Sequence, residues 1–411
     1  MGADSVMEDF FDNIIQNPVF LSIPFVSAFV GWITNLIAIK MTFYPLEFKG
    51  IRPFGWQGII PSKAKKMAET AVDLWTGKLI NMEEEFARVE PDKVAQEMMP
   101  SVDRLSKQII DEVMDAQMGK VWKKTPGFVK ESIYENVSKE LPEIMKEIMG
   151  DVKSNFNNLL DLKALAVSSL TQNRQLLNLV FIRCGAREFK FIERSGLYFG
   201  FLFGIIQMVL WVYFPLWWTL PLAGLLVGYF TNLLALKLIF RPLNPFRIGR
   251  MQIQGLFIKR QNEVSEEYSA IIASKIITVE NIFEYIIRGP GSQKMYTIVQ
   301  KHIQQTIEQT AGTAKELIES VSGSKMFEYI KNIASFRFMQ ELPQNIRTVF
   351  GYTEEALNLR IVLQRKMKEL TPVEFEAFLR PVFKEDEMTL ILVGAALGGI
   401  AGLLQYFVVF Y

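Results

Sequence analysis

Four stretches of the chain are almost wholly apolar, about residues 18 to 40, 196 to 214, 218 to 240 and 388 to 411, and the long intervals between them are rich in charge. A helix crosses a hydrocarbon core of about 30 Å with roughly 20 apolar residues. The pattern therefore predicts four membrane spans at 18–42, 195–214, 218–240 and 388–411, an N-terminal lead-in at 1–17, and two polar helical segments at 43–194 and 241–387. In the lead-in, Phe10, Phe11, Ile14 and Ile15 are placed to lie at a membrane surface. Within the polar segments apolar residues recur at helical spacing, with Val94, Met98, Val102, Leu105 and Ile109 marking one face. Asn81 with Glu84 offers an N-cap and capping box, and Pro91, Pro126 and Pro142 punctuate helix starts or bends. Breaks are expected at Gly289-Pro290-Gly291, Ser322-Gly323-Ser324 and Gly351. No alternating pattern of useful strand length stands out, so the expected fold class is all-α.

The same pattern occurs twice. Gly31-Trp32-Ile33-Thr34-Asn35-Leu36-Ile37-Ala38-Ile39-Lys40 stands 197 residues before Gly228-Tyr229-Phe230-Thr231-Asn232-Leu233-Leu234-Ala235-Leu236-Lys237. At that interval Pro45 falls on Pro242 and Gln57-Gly58 on Gln254-Gly255, and one residue out of step Gly196, Gly200, Gly204 and Gln207 fall on Gly394, Gly398, Gly402 and Gln405. The chain reads as a tandem duplication in which each half has a leading span, a polar helical segment and a returning span. The connector from Tyr44-Pro45 to Gly58 holds Pro45, Gly50, Pro53 and Gly55, too many breakers for a continuous helix, and is expected along the membrane surface.

Small and polar residues form narrow stripes on these helices: Ser27, Gly31, Asn35 and Ala38 on the first leading span, and Gly224, Gly228, Asn232 and Ala235 on its counterpart. Small stripes let backbones approach closely in lipid, where packing and interhelical hydrogen bonds replace the hydrophobic drive. The leading and returning spans of each half are therefore expected to form a close antiparallel hairpin.

Charge sets an expected orientation. Lys40, Lys49, Arg52, Lys63, Lys65 and Lys66 follow the first span, Arg187, Lys190 and Arg194 precede the second, and Arg241, Arg247, Arg250, Lys259 and Arg260 follow the third. By the positive-inside rule these flanks are cytoplasmic and both chain termini lie outside, with Trp217 and Trp218 in the outer aromatic belt. The two halves are then parallel repeats. The leader bearing Asp4, Glu8, Asp9 and Asp12 lacks the basic start of a cleaved signal peptide. A net charge of +1 over 411 residues, with no basic stripe, argues against a nucleic-acid partner. Cys184 is the only cysteine, so neither an intrachain disulfide nor a cysteine zinc cluster can form.

At Gly31 to Met41, at Gln57-Gly58-Ile59-Ile60-Pro61-Ser62-Lys63, and at the glycines of the returning spans ending in Gln207 and Gln405, the sequence resembles the YheB/YjiN-like bacterial membrane proteins, which carry the domain of unknown function numbered 445. The resemblance covers nearly the whole chain. It implies a multi-pass protein of the bacterial inner membrane and supplies no agreed catalytic residues. The second copy departs from the pattern, with Ile258 in place of Pro61 and Asn262 and Glu263 in place of Lys65 and Lys66.

Candidate chemistry is sparse. Asn35, Asn232, Gln207 and Gln405 are polar groups within spans, read either as hydrogen-bonding glue on the small-residue stripes or as the lining of a path for an ion or polar headgroup. Gly31, Gly228, Gly196, Gly200, Gly204, Gly394, Gly398 and Gly402 are the expected packing positions. No Asp or Glu stands mid-span, which argues against a proton- or cation-coupled transporter. Lys63, Lys65 and Lys66, after Pro61, could hold a phosphate or anionic lipid headgroup, or could simply be a cytoplasmic flank. His302 is the only histidine and is expected to be a solvated surface residue. Met98, Met99, Met114, Met118, Met145 and Met149 read as adaptable core rather than a partner groove. No set of nucleophile, base and orienting group can be assembled, and no metal or cofactor is implied. The expected role is a non-enzymatic, membrane-anchored scaffold that binds a partner or an anionic lipid surface, with a transporter or pore between the repeats as the alternative.

Overall fold

The computed structural model describes residues 12–51, 54–249, 251–322 and 324–407. The expectations for Asp4, Glu8, Asp9, Phe10, Phe11, Arg52, Pro53, Arg250, Gly323 and Tyr411 lie outside the described residues. Among the described residues four helices are long and apolar enough to cross a membrane, at Pro18–Phe43, Ala186–Tyr213, Thr219–Phe240 and Glu387–Gln405. They stand where the hydropathy places spans, but the returning helices begin well before them. The first returning helix runs unbroken through Ala186–Tyr213, and the second through Pro372–Gln405, from a capping box in which Thr371 and Glu374 exchange hydrogen bonds. Each returning span is thus one rod with its polar lead.

The chain divides into two compact units that each draw on both halves of the sequence: residues 1–75, 169–271 and 364–411 form one, and residues 76–168 and 272–363 the other. The stretches 43–194 and 241–387 each contribute to both units.

In the first unit the leading helix Ser22–Phe43 packs along Ala186–Tyr213, and Thr219–Phe240 packs along Pro372–Gln405. These helices are apolar nearly all round, with Phe25, Tyr198, Leu202, Leu222 and Leu404 exposed, as suits helices solvated by lipid. The connectors contain two short antiparallel hairpins, Lys49–Ile51 with Phe54–Trp56 and Phe246–Ile248 with Met251–Ile253. Their strands are three residues each, too short for an alternation to register in the sequence. Gly50, with φ of +118°, stands opposite Gly55 in the first hairpin, where a Cβ would come within 2.6 Å of Gly55 Cα. Each connector is closed by a glutamine: Gln57 Nε2 donates to Leu46 O (2.8 Å) and Gln254 Nε2 to Leu243 O (3.1 Å). Short helices follow at Ile59–Ser62 and Leu256–Lys259, and π-helical turns at Trp75–Leu79 and Ile272–Ile276. These connector elements and π-turns recur at the interval of 197 residues found in the sequence.

The second unit is built on four long helices, Pro91–Lys124, Gly127–Ser154, Ser292–Ser322 and Ser324–Asn345, each packed on two of the others. Val94, Met98, Val102, Leu105 and Ile109 are all buried, and Val102 and Ile109 meet Ile144, Met145 and Ile148 from the next helix and Phe338 from the last around an apolar cavity of about 110 Å³. Met98, Met145 and Met149 are core. Asn81 caps Met82–Phe86 by accepting from Glu83 N, and its Nδ2 donates to Glu84 (2.9 Å). The break expected at Gly351 is absent. That glycine lies inside Phe350–Leu357, after a 3-10 turn at Ile346–Val349, because a single glycine weakens a helix without ending it.

Because each unit draws core residues from both halves, neither half can bury its apolar faces alone. Fragments 1–217 and 218–411 expressed together should assemble and co-purify, and each expressed singly should be degraded or aggregate. Recovery of either fragment alone as a stable, cooperatively unfolding species would contradict this arrangement.

Candidate functional site

One set of buried polar groups lies where leading and returning helices touch. Gly31 meets Gly196, Gly228 meets Gly394, and Gly224 meets Gly398, each backbone against backbone. A Cβ at Gly200 would stand 2.6 Å from Ser27 O, and one at Gly204 would stand 2.7 Å from Pro24 Cα. Gly402 faces Leu220 and Pro221 in the same way. The glycines also make room for an amide. Asn35 Nδ2 crosses to Ile192 O (2.7 Å), one turn before Gly196, and Asn232 Nδ2 crosses to Leu390 O (2.9 Å), one turn before Gly394. Any side chain at Gly196 or Gly394 would collide with the amide it faces. Asn35 and Asn232 are 1 % and 3 % exposed, so each Nδ2 donor is bonded inside a seam and withdrawn from surrounding lipid, while Asn35 Oδ1 has no hydrogen-bond partner among the described residues.

The glutamines lie further along the returning helices, and both are buried. Ser27 Oγ donates to Gln207 Oε1 (2.8 Å). Gln207 and Gln405 line one small cavity of about 10 Å³ among the four spans. Gln207 also lines a groove of about 310 Å³ with Trp211, Phe214, Trp218 and Leu222 near the turn that joins the second and third spans.

The lysine cluster is not a free helix start. Pro61 is buried in the four-residue helix Ile59–Ser62, and Lys63 sits at the junction with the following helix Ala64–Leu74, on which Lys65 and Lys66 are exposed. The second-half counterpart of Lys63 is Arg260, whose Nη1 holds both oxygens of the buried Glu188 at 2.7 and 2.8 Å while its Nε donates to Glu263 (2.8 Å). Arg187 adds a second cation to Glu263 (3.0 Å). The charges looked like a flank in the sequence; Glu188 is 72 residues from Arg260, so the pair has no local signature.

His302 corrects an expectation. It is 6 % exposed, with Nδ1 at 3.0 Å from Glu147 Oε2 and Nε2 at 2.9 Å from Asp151 Oδ2. Two carboxylates of Gly127–Ser154 clamp the ring because the bundle presses Ser292–Ser322 against that helix, which pattern on one helix cannot reveal. Lys301 also reaches Asp151 (3.1 Å). The hydrogen bond from His302, followed by that from Lys301, holds the Asp151 carboxyl below its usual range. Lys331, nearly buried, is likewise held by Glu308 (2.5 Å) and Glu328 (2.6 Å). Cys184 is buried, and that burial pushes its thiol up to about 12, which disfavours the thiolate. Among the described residues no group of three or more His, Cys, Asp or Glu side chains could hold a metal ion.

Because the folded pKa of Asp151 is depressed, the stability it contributes is fully present above its ordinary value of 3.8 and is lost as pH falls through the folded value. Asp151→Asn should therefore lower the unfolding temperature at neutral pH, and the gap from the parent should close as pH drops below about 4. A gap that stays constant with pH would show that the carboxylate charge is not used.

Comparison with known proteins places the chain among bacterial membrane proteins. It is 28 % identical over 134 residues to a UPF0754 membrane protein of Thermosynechococcus vestitus, covering 31 % of this chain and 30 % of that protein. It is 35 % identical over 78 residues to one from a Synechococcus strain, covering 18 % of each, and 25 % identical over 141 residues to one from Bacillus cereus, covering 30 % of this chain and 37 % of the relative. The chain thus matches less than two fifths of the length of these relatives. No family model matches it, and no solved structure matches it. With its four membrane-length helices, the chain is a multi-pass membrane protein similar to the uncharacterised bacterial membrane proteins called UPF0754.

Proposed function

We propose that this protein is a non-enzymatic scaffold of the bacterial inner membrane, a tandem duplication of the YheB/YjiN-like kind whose helical segments lie in the cytoplasm and bind a protein partner or an anionic lipid surface. The observation that carries this reading is the closure of the bundle. Leading and returning helices meet backbone to backbone at glycine, and the cavity lined by all four spans measures about 10 Å³, too small for a solute path, while the groove of about 310 Å³ is lined by the second and third spans and the turn between them. The asparagines are bonded across the seams, which supports packing over passage. The recurrence of connector hairpins and π-turns at one interval supports the duplication. The basic flanks support cytoplasmic helical segments and outer termini. Lys65 and Lys66, exposed just beyond the first connector, together with Lys63, suit the headgroups of anionic lipids. Transport of a small or lipidic solute is the second reading, favoured by one feature: Gln207 lines both the aromatic groove and the axial cavity.

Each basic side chain near an anionic surface contributes about 1 kcal/mol, and salt screens it. Replacing Lys63, Lys65 and Lys66 together by Gln in the full chain should reduce the number of anionic lipids retained per protein in native mass spectrometry. Raising salt should reduce the parent's retention toward that of the variant. Equal retention at low salt would leave the lysines as topology markers only.

A further inference from the structure

The axial cavity carries an observation that helix packing does not explain. Gln207 and Gln405, one from each returning helix, both line it, and each is only 5 % exposed. The Nε2 of each finds no hydrogen-bond partner among the described residues. Ser27 Oγ already donates to Gln207 Oε1, which leaves that amide's NH2 to donate elsewhere, and the Thr34 hydroxyl on the same wall donates to Val30 O (2.9 Å). Glycines supply much of the remaining wall. A buried amide donor without an acceptor is costly, and that cost falls twice around this cavity unless one group satisfies both donors. The cavity, about 10 Å³, is the size of one water-sized sphere.

We propose that Gln207 and Gln405 together hold one hydrogen-bond acceptor of water size on the axis between the two halves. A water oxygen and a halide ion share the required chemistry, since each accepts from two N–H groups, and water matches the volume more closely. The lining includes no Lys or Arg to offset a halide's charge, and this favours water. Larger anions are excluded by size. The site joins the two halves at equivalent positions and is independent of whether the protein serves as an anchor or a passage.

The test uses the full chain in lipid nanodiscs, solved at a resolution that shows ordered waters in the protein interior. The expected result is one non-protein density within about 3.2 Å of both Nε2 atoms, lost in the Gln207→Met/Gln405→Met double variant. Thermal unfolding of the parent in chloride, bromide and gluconate at equal ionic strength separates the two sources. Equal unfolding temperatures identify water. A higher temperature in chloride and bromide than in gluconate, with the difference lost in the double variant, identifies a halide. A parent map with no density between the amides while other interior waters are visible overturns the proposal, as does a density that touches only one amide. The parent map decides the matter even if the double variant does not fold.

Discussion

The contact on which this structure depends is backbone against backbone, at Gly31 with Gly196 and at Gly228 with Gly394. Lipid tails are as apolar as leucine, so burying large side chains between spans would gain little over leaving them in the bilayer. Close approach gains dispersion contacts and brings a polar side chain within reach of a carbonyl on the other helix. The Asn35 to Ile192 and Asn232 to Leu390 bonds exist only because the facing position on each returning helix has no side chain. Glycine and asparagine therefore work as one device, used once in each half.

The seams also order what lies beyond them. Each returning helix is continuous from its polar lead into the span, so fixing the span fixes that lead. Glu188 at the base of the first returning helix is thereby held for Arg260 Nη1, which donates to both of its oxygens, and Asn178 donates to Phe43 O (2.6 Å) at the end of the first leading helix. A buried charge of this kind is tolerated only with its partner in place. The other unit solves a different problem, burying apolar faces in water, and does so with four amphipathic helices around Met98, Val102 and Ile148.

Much of this was legible in the sequence because membrane constraints are strong and local. Spans announce themselves by length and hydropathy, and seams announce themselves by glycines four apart. The apolar face Val94 to Ile109 was legible through its period. What was not legible depends on distant partners or very short elements. His302 looked solvated because Glu147 and Asp151 lie more than 150 residues away. The hairpins that pair Lys49–Ile51 with Phe54–Trp56 and Phe246–Ile248 with Met251–Ile253 have strands of three residues, too short for an alternation to show. Arg260 looked like a topology marker until Glu188 was placed against it, and Lys63 stood out only because two more lysines follow it.

The central claim is that the spans are held through glycine seams, and a leucine scan of residues 195 to 207 of the first returning helix, read by thermal unfolding of the purified full chain, tests it most directly. Overpacking of this kind costs roughly 1 to 3 kcal/mol per site. The profile should show losses recurring every four residues, at Gly196, Gly200 and Gly204, with little change at the exposed Tyr198 and Ile206. A flat profile, or one whose losses fall on the exposed positions, would contradict the account.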